Sequence, residues 1–129
     1  MGARILVVED NADVHLGLAL RLKSAGHKVL SAMNGAEVVP VAVRERPDVI
    51  LLDIGLPDRS GHLVAKELAA NEATRPIPII YLTARQETDN RLRAAEAGAA
   101  AYLVKPCSPE RLLKAIDSVI NPQESSNNG

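Results

Sequence analysis

At 129 residues and 47% hydrophobic content the chain is one domain of ordinary size, long enough to bury a single core. A formal net charge of −1 leaves no electrostatic footprint for nucleic acid or an anionic membrane, and two tyrosines with no Phe or Trp leave no base-stacking surface. The single cysteine, Cys107, excludes an internal disulfide and a cysteine metal cluster; no apolar run nears the roughly 18 residues of a membrane span, and the expected location is the cytoplasm.

Arg4–Val8 (RILVV) is a β-branched apolar run ended by acids and reads as a buried strand. Asn11 to Ala25 reads as a helix, with Asp10 or Asn11 as N-cap and Gly26 as the stop. Its inner face is predicted to be Val14, Leu18, Leu22 and Ala25, with Leu16 and Leu20 on the opposite side. Lys28–Ala32 is a second strand, followed by an Asn-Gly turn signal and a helix from about Ala36 to Arg46. Pro40 predicts a kink or a late start in that helix. Val49–Asp53 is the third strand and Gly61–Asn71 the third helix, with Leu63, Val64 and Leu68 inward. Ile77–Thr83 is the fourth strand. Gln86–Ala97 is a fourth helix stopped by Gly98, with only Leu92, Ala94, Ala95 and Ala97 for the core. Tyr102–Val104 closes the sheet. Ser108–Ile120 is the last helix, capped by Ser108, with Pro109 in its first turn and a stripe of Leu112, Leu113, Ile116 and Val119. Residues 122–129 are polar and read as a tail or linker after a domain of residues 1–121.

Five strands that are apolar on both faces, alternating with amphipathic helices, predict an α/β fold. It is a (βα)5 doubly wound domain, flavodoxin-like, with a parallel sheet in the order 2-1-3-4-5. Ligands in such folds collect outside the carboxyl ends of the strands. Those ends carry Glu9 and Asp10, then Asp53, then Thr83, then Lys105. Each has an ordinary role available: Asp10 or Thr83 capping a helix, Asp53 closing a turn, Lys105 solvated at the surface. None of these explains like charges converging on one mouth, where carboxylates raise one another's pKa unless a cation is present. Mg²⁺ suits an all-oxygen site with few protein ligands. Asp10 and Asp53 fit direct ligation with a backbone carbonyl after Asp53, and Glu9 reaches the ion or acts through a water. No His or Cys at these ends favours a transition metal. Metal, lysine and a threonine hydroxyl around one carboxylate are the groups that neutralise and position a phosphoryl group, with Asp53 the best nucleophile.

The segments ILVVED, VILLDIGLPDRSG, IIYLTA and YLVKP, in this order and at these strand ends, resemble the receiver domain of two-component response regulators, chemotaxis regulators included, from about Arg4 to Ile120. The resemblance implies that Asp53 takes a phosphoryl group from a phosphohistidine on a sensor histidine kinase or phosphotransfer protein, with Mg²⁺ required. Position by position it assigns Glu9, Asp10 and Asp53, with the carbonyl of Gly55, to the metal, and Asp53, Thr83 and Lys105 to phosphoryl chemistry. It implies a cis bond at Lys105–Pro106 and a switch in which Thr83 moves and Tyr102 turns inward, altering the surface of the fourth helix, fifth strand and last helix. The protein is then no conventional enzyme, but catalyses its own aspartyl phosphorylation and dephosphorylation. It is expected to be a monomer or a weak phosphorylation-dependent dimer, acting through a downstream protein or an attached output domain, with no direct contact to nucleic acid or membrane. Cys107 departs from the aromatic residue common after Lys-Pro, and Gly55 and Arg85 sit where side chains affect access of hydrolytic water.

Three other readings use the same fold. A dehalogenase-type phosphatase needs a second Asp two residues after its nucleophile, where this chain has Gly55. An FMN binder needs a neutral phosphate loop after the first strand, where EDNAD repels phosphate. A phosphorylation-independent interaction module leaves the full set of five site residues unexplained.

Overall fold

The computed structural model describes residues 2–84 and 100–121. Five parallel strands, β1 (Arg4–Val8), β2 (Lys28–Ala32), β3 (Val49–Asp53), β4 (Ile79–Ala84) and β5 (Ala101–Lys105), form one sheet in the order β2-β1-β3-β4-β5, as predicted. Side chains alternate across this sheet with period two, so each strand feeds two cores. Leu6, Val8, Ile50, Leu52 and Tyr81 point to one face, where they pack with Val38, Ala42, Val64 and Leu68 of helices α2 (Val38–Glu45) and α3 (Gly61–Ala70). Ile5, Val7, Val49, Leu51, Ile80 and Leu82 point to the other, against Leu18 and Leu22 of α1 (Ala12–Ser24) and Leu112 and Ile116 of the C-terminal helix (Pro109–Ile120). Burial on both faces is why these strands read as continuous apolar runs. The predicted helix at 86–97, with Arg85 and Gly98, lies outside the described residues.

The helix ends follow their capping chemistry. Asn11, not Asp10, caps α1: its side chain accepts from the Val14 amide at 3.1 Å. At the other end Gly26 N–H donates to Lys23 O and His27 N–H to Leu22 O, a Schellman closure that needs the positive φ of 92° at Gly26. Ser60 and Ser108 cap α3 and the C-terminal helix. Pro40 produces a late start rather than a kink: a 3₁₀ turn at Gly35–Glu37 precedes α2, which puts Pro40 in the first turn, where no N–H is required.

Four expectations are corrected. Val14 and Ala25 are exposed, and His15 and Ala19 complete the buried face of α1. Leu63 is likewise 48% exposed, while Gly61, Val64, Ala65 and Leu68 face the sheet. In both helices the true stripe runs i, i+3, i+4, i+7 through a small or polar residue, and the reading tracked the larger apolar neighbour. Strand β4 begins at Ile79 rather than Ile77. Pro76 and Pro78 have no N–H to give a ladder, and the Ile77 amide is drawn back to Thr74 O at 3.0 Å. β5 extends one residue beyond the expected span at each end, to Ala101 and Lys105.

Candidate functional site

The carboxyl end of β1 delivers Glu9 and Asp10, and that of β3, its neighbour, delivers Asp53. One carboxylate oxygen from each of these three lies within 4.8 Å of the other two. Glu9 is fully buried and Asp53 is 5% exposed, whereas Asp10 faces solvent. Because Asn11 takes the capping role, Asp10 is not used to hold α1. Lys105, at the end of β5, reaches across the sheet to place Nζ 3.0 Å from Glu9 Oε1 and 3.3 Å from Asp53 Oδ1. Its side chain is 28% exposed, so the ammonium sits at the rim of the acid cluster.

Backbone amides hold two of the carboxylates. Asn11 N–H donates to Glu9 Oε2 at 3.1 Å and Gly55 N–H to Asp53 Oδ1 at 3.0 Å. The Glu9 amide donates to Ala32 O at 3.2 Å, joining the first site loop to the end of β2. Gly61 allows α3 to start directly beneath Asp53, since a Cβ there would come 2.7 Å from Asp53 O and 2.8 Å from Ile54 Cα. Thr83, buried at the end of β4, follows Leu82, the residue that pairs with Asp53. Tyr102 pairs with Tyr81 in the β4–β5 register and is 39% exposed. The Lys105–Pro106 peptide bond is cis. Cys107 is half-buried against the α1 side of the core, and burial raises its thiol above the usual range.

Electrostatics distinguish the acids. Burial, opposed by the Gly55 amide and reinforced by the Glu9 charge, pushes the Asp53 carboxyl up to about 6. For Lys105, burial alone would lower the ammonium's pKa, but Glu9 and Asp53 outweigh it and the net direction is up. One ammonium thus faces two buried carboxylates, with a third beside them. The donor set is oxygen only, it is negative in excess, and it is open to solvent at Asp10, which fits a hard divalent cation such as Mg²⁺.

Sequence reasoning missed one residue of this region. Asp58, read only as part of the LPDRSG loop, accepts from Gly35 N–H at 2.7 Å through Oδ1 and from Ala36 N–H at 2.9 Å through Oδ2. Both amides lie in the turn before α2, 22–23 residues away. The local signals were an acid immediately after a loop proline and an Asn-Gly pair opening a helix. Their mutual attraction becomes visible only once the fold brings the two loops together.

A family model, the response regulator receiver domain, matches residues 5–117. The chain is 37% identical over 118 residues to protein PilH of Pseudomonas aeruginosa, covering 92% of this chain and 98% of PilH. It is 41% identical over 120 residues to the phosphate regulon transcriptional regulatory protein PhoB of the same organism, covering 93% of this chain but 52% of PhoB, so it spans about half the length of that relative. Among solved structures, the receiver domain of a Pseudomonas aeruginosa sensor histidine kinase, with a magnesium ion coordinated in its active-site cleft, superposes with a TM-score of 0.85. That pair is 35% identical and covers 93% of this chain and 98% of the other. The chemotaxis response regulator CheY4 of Vibrio cholerae gives a TM-score of 0.85 at 30% identity, covering 92% of this chain and 99% of that one.

Proposed function

We propose that Asp53 is the phosphoryl acceptor of this chain, which belongs to the response regulator receiver domain family. The observation that carries the proposal is the Lys105 ammonium standing 3.0 Å from Glu9 and 3.3 Å from Asp53 while Asp10 completes the acid cluster. The donor is a phosphohistidine on a sensor histidine kinase or a phosphotransfer protein. One Asp53 carboxylate oxygen forms a bond to phosphorus as the P–N bond of the donor breaks; the electron pair stays on the imidazole nitrogen, which takes up a proton. Lys105 balances charge on the oxygens of the transferring group, and the Thr83 hydroxyl donates a hydrogen bond to one of them. Glu9, Asp10, Asp53 and the Gly55 carbonyl would hold Mg²⁺, whose chemistry there is charge neutralisation and orientation of phosphoryl oxygens.

The chain is no conventional enzyme in this reading: it catalyses the phosphorylation of its own Asp53 and the later hydrolysis of the acyl phosphate. Phosphorylation adds charge and acceptor oxygens at the end of β3. Thr83 moves toward them, and Tyr102 turns from the surface into the space released, altering the face built on β5 and the C-terminal helix. We place the receiver unit at residues 1–121, with 122–129 as tail or linker, working in the cytoplasm as a monomer or weak phosphorylation-dependent dimer. Its output passes through a downstream protein or an attached output domain. Treatment with phosphoramidate and Mg²⁺ followed by intact-mass measurement is the test. One phosphoryl group is expected on the wild type and none on Asp53→Asn or in excess EDTA; an unmodified wild type, or a modified Asp53→Asn, overturns the assignment.

A further inference from the structure

Two loops carry the proposed metal ligands, and at the centre of the site Lys105 bridges them through Glu9 and Asp53. Glu9 and Asp10 belong to the loop after β1, Asp53 and Gly55 to the loop after β3. A second tie, outside the acid cluster, runs through the end of β2 and the turn that follows it. On one side the Glu9 amide donates to Ala32 O at 3.2 Å, and the turn is braced by Met33 N–H donating to Glu37 Oε2 at 2.8 Å. On the other side Asp58 receives the Gly35 and Ala36 amides on its two oxygens. These amides open the 3₁₀ turn and α2, where backbone N–H groups have no partner within the helix. A carboxylate bonded by two of them is held below its usual pKa, chiefly by the Gly35 amide, and is ionised at any physiological pH.

Arg59 completes the device. Its Nη1 donates to Glu67 of α3 at 2.8 and 2.9 Å, and its Nε stands 3.7 Å from Asp58. The Arg59 stem crosses the space in which a Cβ on Gly35 would lie, only 2.3 Å from its Cγ. A side chain at position 35 would therefore displace the Arg59 stem. Between Gly55 and this tether the loop has one buried anchor, Leu56.

We propose that Asp58 is a positioning residue for divalent-cation binding: by clamping the loop after β3 to the turn after β2, it sets the Gly55 backbone against Glu9 and Asp10. The proposal rests on the Mg²⁺ reading of the site given above. Asp58 does not touch the ion; it fixes where the ligands stand before the ion arrives, a role whose loss typically costs about tenfold or more in affinity.

The test is an amide NMR titration of the full chain with MgCl₂, repeated at high ionic strength, where through-solvent attraction from one surface carboxylate is screened. Asp58→Ala is expected to raise the Mg²⁺ dissociation constant about tenfold under both salt conditions. Mg²⁺ is expected to shift the Gly35 amide together with Gly55 in the wild type but not in the variant. In phosphoramidate assays most of the rate lost in Asp58→Ala is expected to return as Mg²⁺ is raised. Asp58→Asn keeps the shape and one acceptor, and serves if the alanine variant fails to fold. A wild type that binds Mg²⁺ alongside a variant that binds it equally well, or one whose deficit vanishes at high salt, overturns the clamp. A wild type that does not bind Mg²⁺ overturns the metal reading itself, and the clamp with it.

Discussion

Asp53→Asn is the substitution that separates the energetic cost of the site from its use. The Asp53 carboxyl is buried, which pushes its pKa up to about 6 against an ordinary 3.8. At about 1.4 kcal/mol for each tenfold, holding that group ionised in the folded chain costs about 3 kcal/mol once the pH is well above 6. The sign follows from the direction of the shift. The folded state binds this proton more tightly than the unfolded state, so the group favours folding below pH 3.8, and that advantage is lost as pH rises through 6. Asparagine keeps the shape and removes the titration. Asp53→Asn is therefore expected to be more stable than the wild type at pH 7.5, by about 1–3 kcal/mol, since Lys105 loses one of its two carboxylate partners in exchange. The gap is expected to close to near zero by pH 4. Urea denaturation of both proteins at half-unit steps from pH 4 to 8, in EDTA, measures it. A difference that is constant across this range, or a variant less stable at pH 7.5, refutes the argument that like-charge crowding and burial strain this site.

Three further outcomes follow from individual contacts. Lys105→Met removes the cation facing Glu9 and Asp53; it is expected to cost about 2 kcal/mol at pH 7.5, below the figure for a fully buried pair because Lys105 is 28% exposed, and less at pH 5, where Asp53 is protonated. Tyr81→Phe deletes a buried hydroxyl that has no hydrogen-bond partner among the described residues, so urea denaturation is expected to show a gain of about 1 kcal/mol rather than a loss. Arg46, the C-cap of α2, sits in the left-handed region at φ 48°; Arg46→Gly relieves it and is expected to stabilise by about 1 kcal/mol in the same assay, with no change in phosphorylation.

The strands and, given the sheet order of a doubly wound fold, the site cluster were legible for one reason. A parallel sheet buried on both faces writes its strands as unbroken apolar runs, and the first polar residue after each run is where the backbone leaves the core. Glu9, Asp53 and Lys105 could therefore be read as neighbours from their positions at strand ends. Helix faces were less legible, because Val14 and Leu63 lie one step of 100° from the true stripe and hydrophobicity alone does not choose between adjacent residues. His15, buried with Nε2 unpartnered among the described residues, is the kind of polar residue a pattern search discards from a core. The Asp58 tether was least legible. It joins loops 22–23 residues apart through backbone amides, and amides carry no identity in a sequence.

The repulsion within the site also fixes what a cation should do to the fold. If ionised Asp53 costs about 3 kcal/mol, an ion bound only by the folded chain offsets a comparable amount at about one hundred times its dissociation constant, where mass action contributes about 2.7 kcal/mol. Mg²⁺ should then raise the thermal midpoint of the wild type strongly at pH 7.5. Below pH 5, where Asp53 holds its proton and the ion must compete for it, the rise should be weak. Asp53→Asn should respond less than the wild type at every pH, because it lacks one ligand and has no repulsion to relieve. Thermal scans with and without MgCl₂ at pH 5 and 7.5 distinguish this from a general salt effect, which would stabilise both proteins alike. Equal responses would mean that the ion does not bind at Asp53.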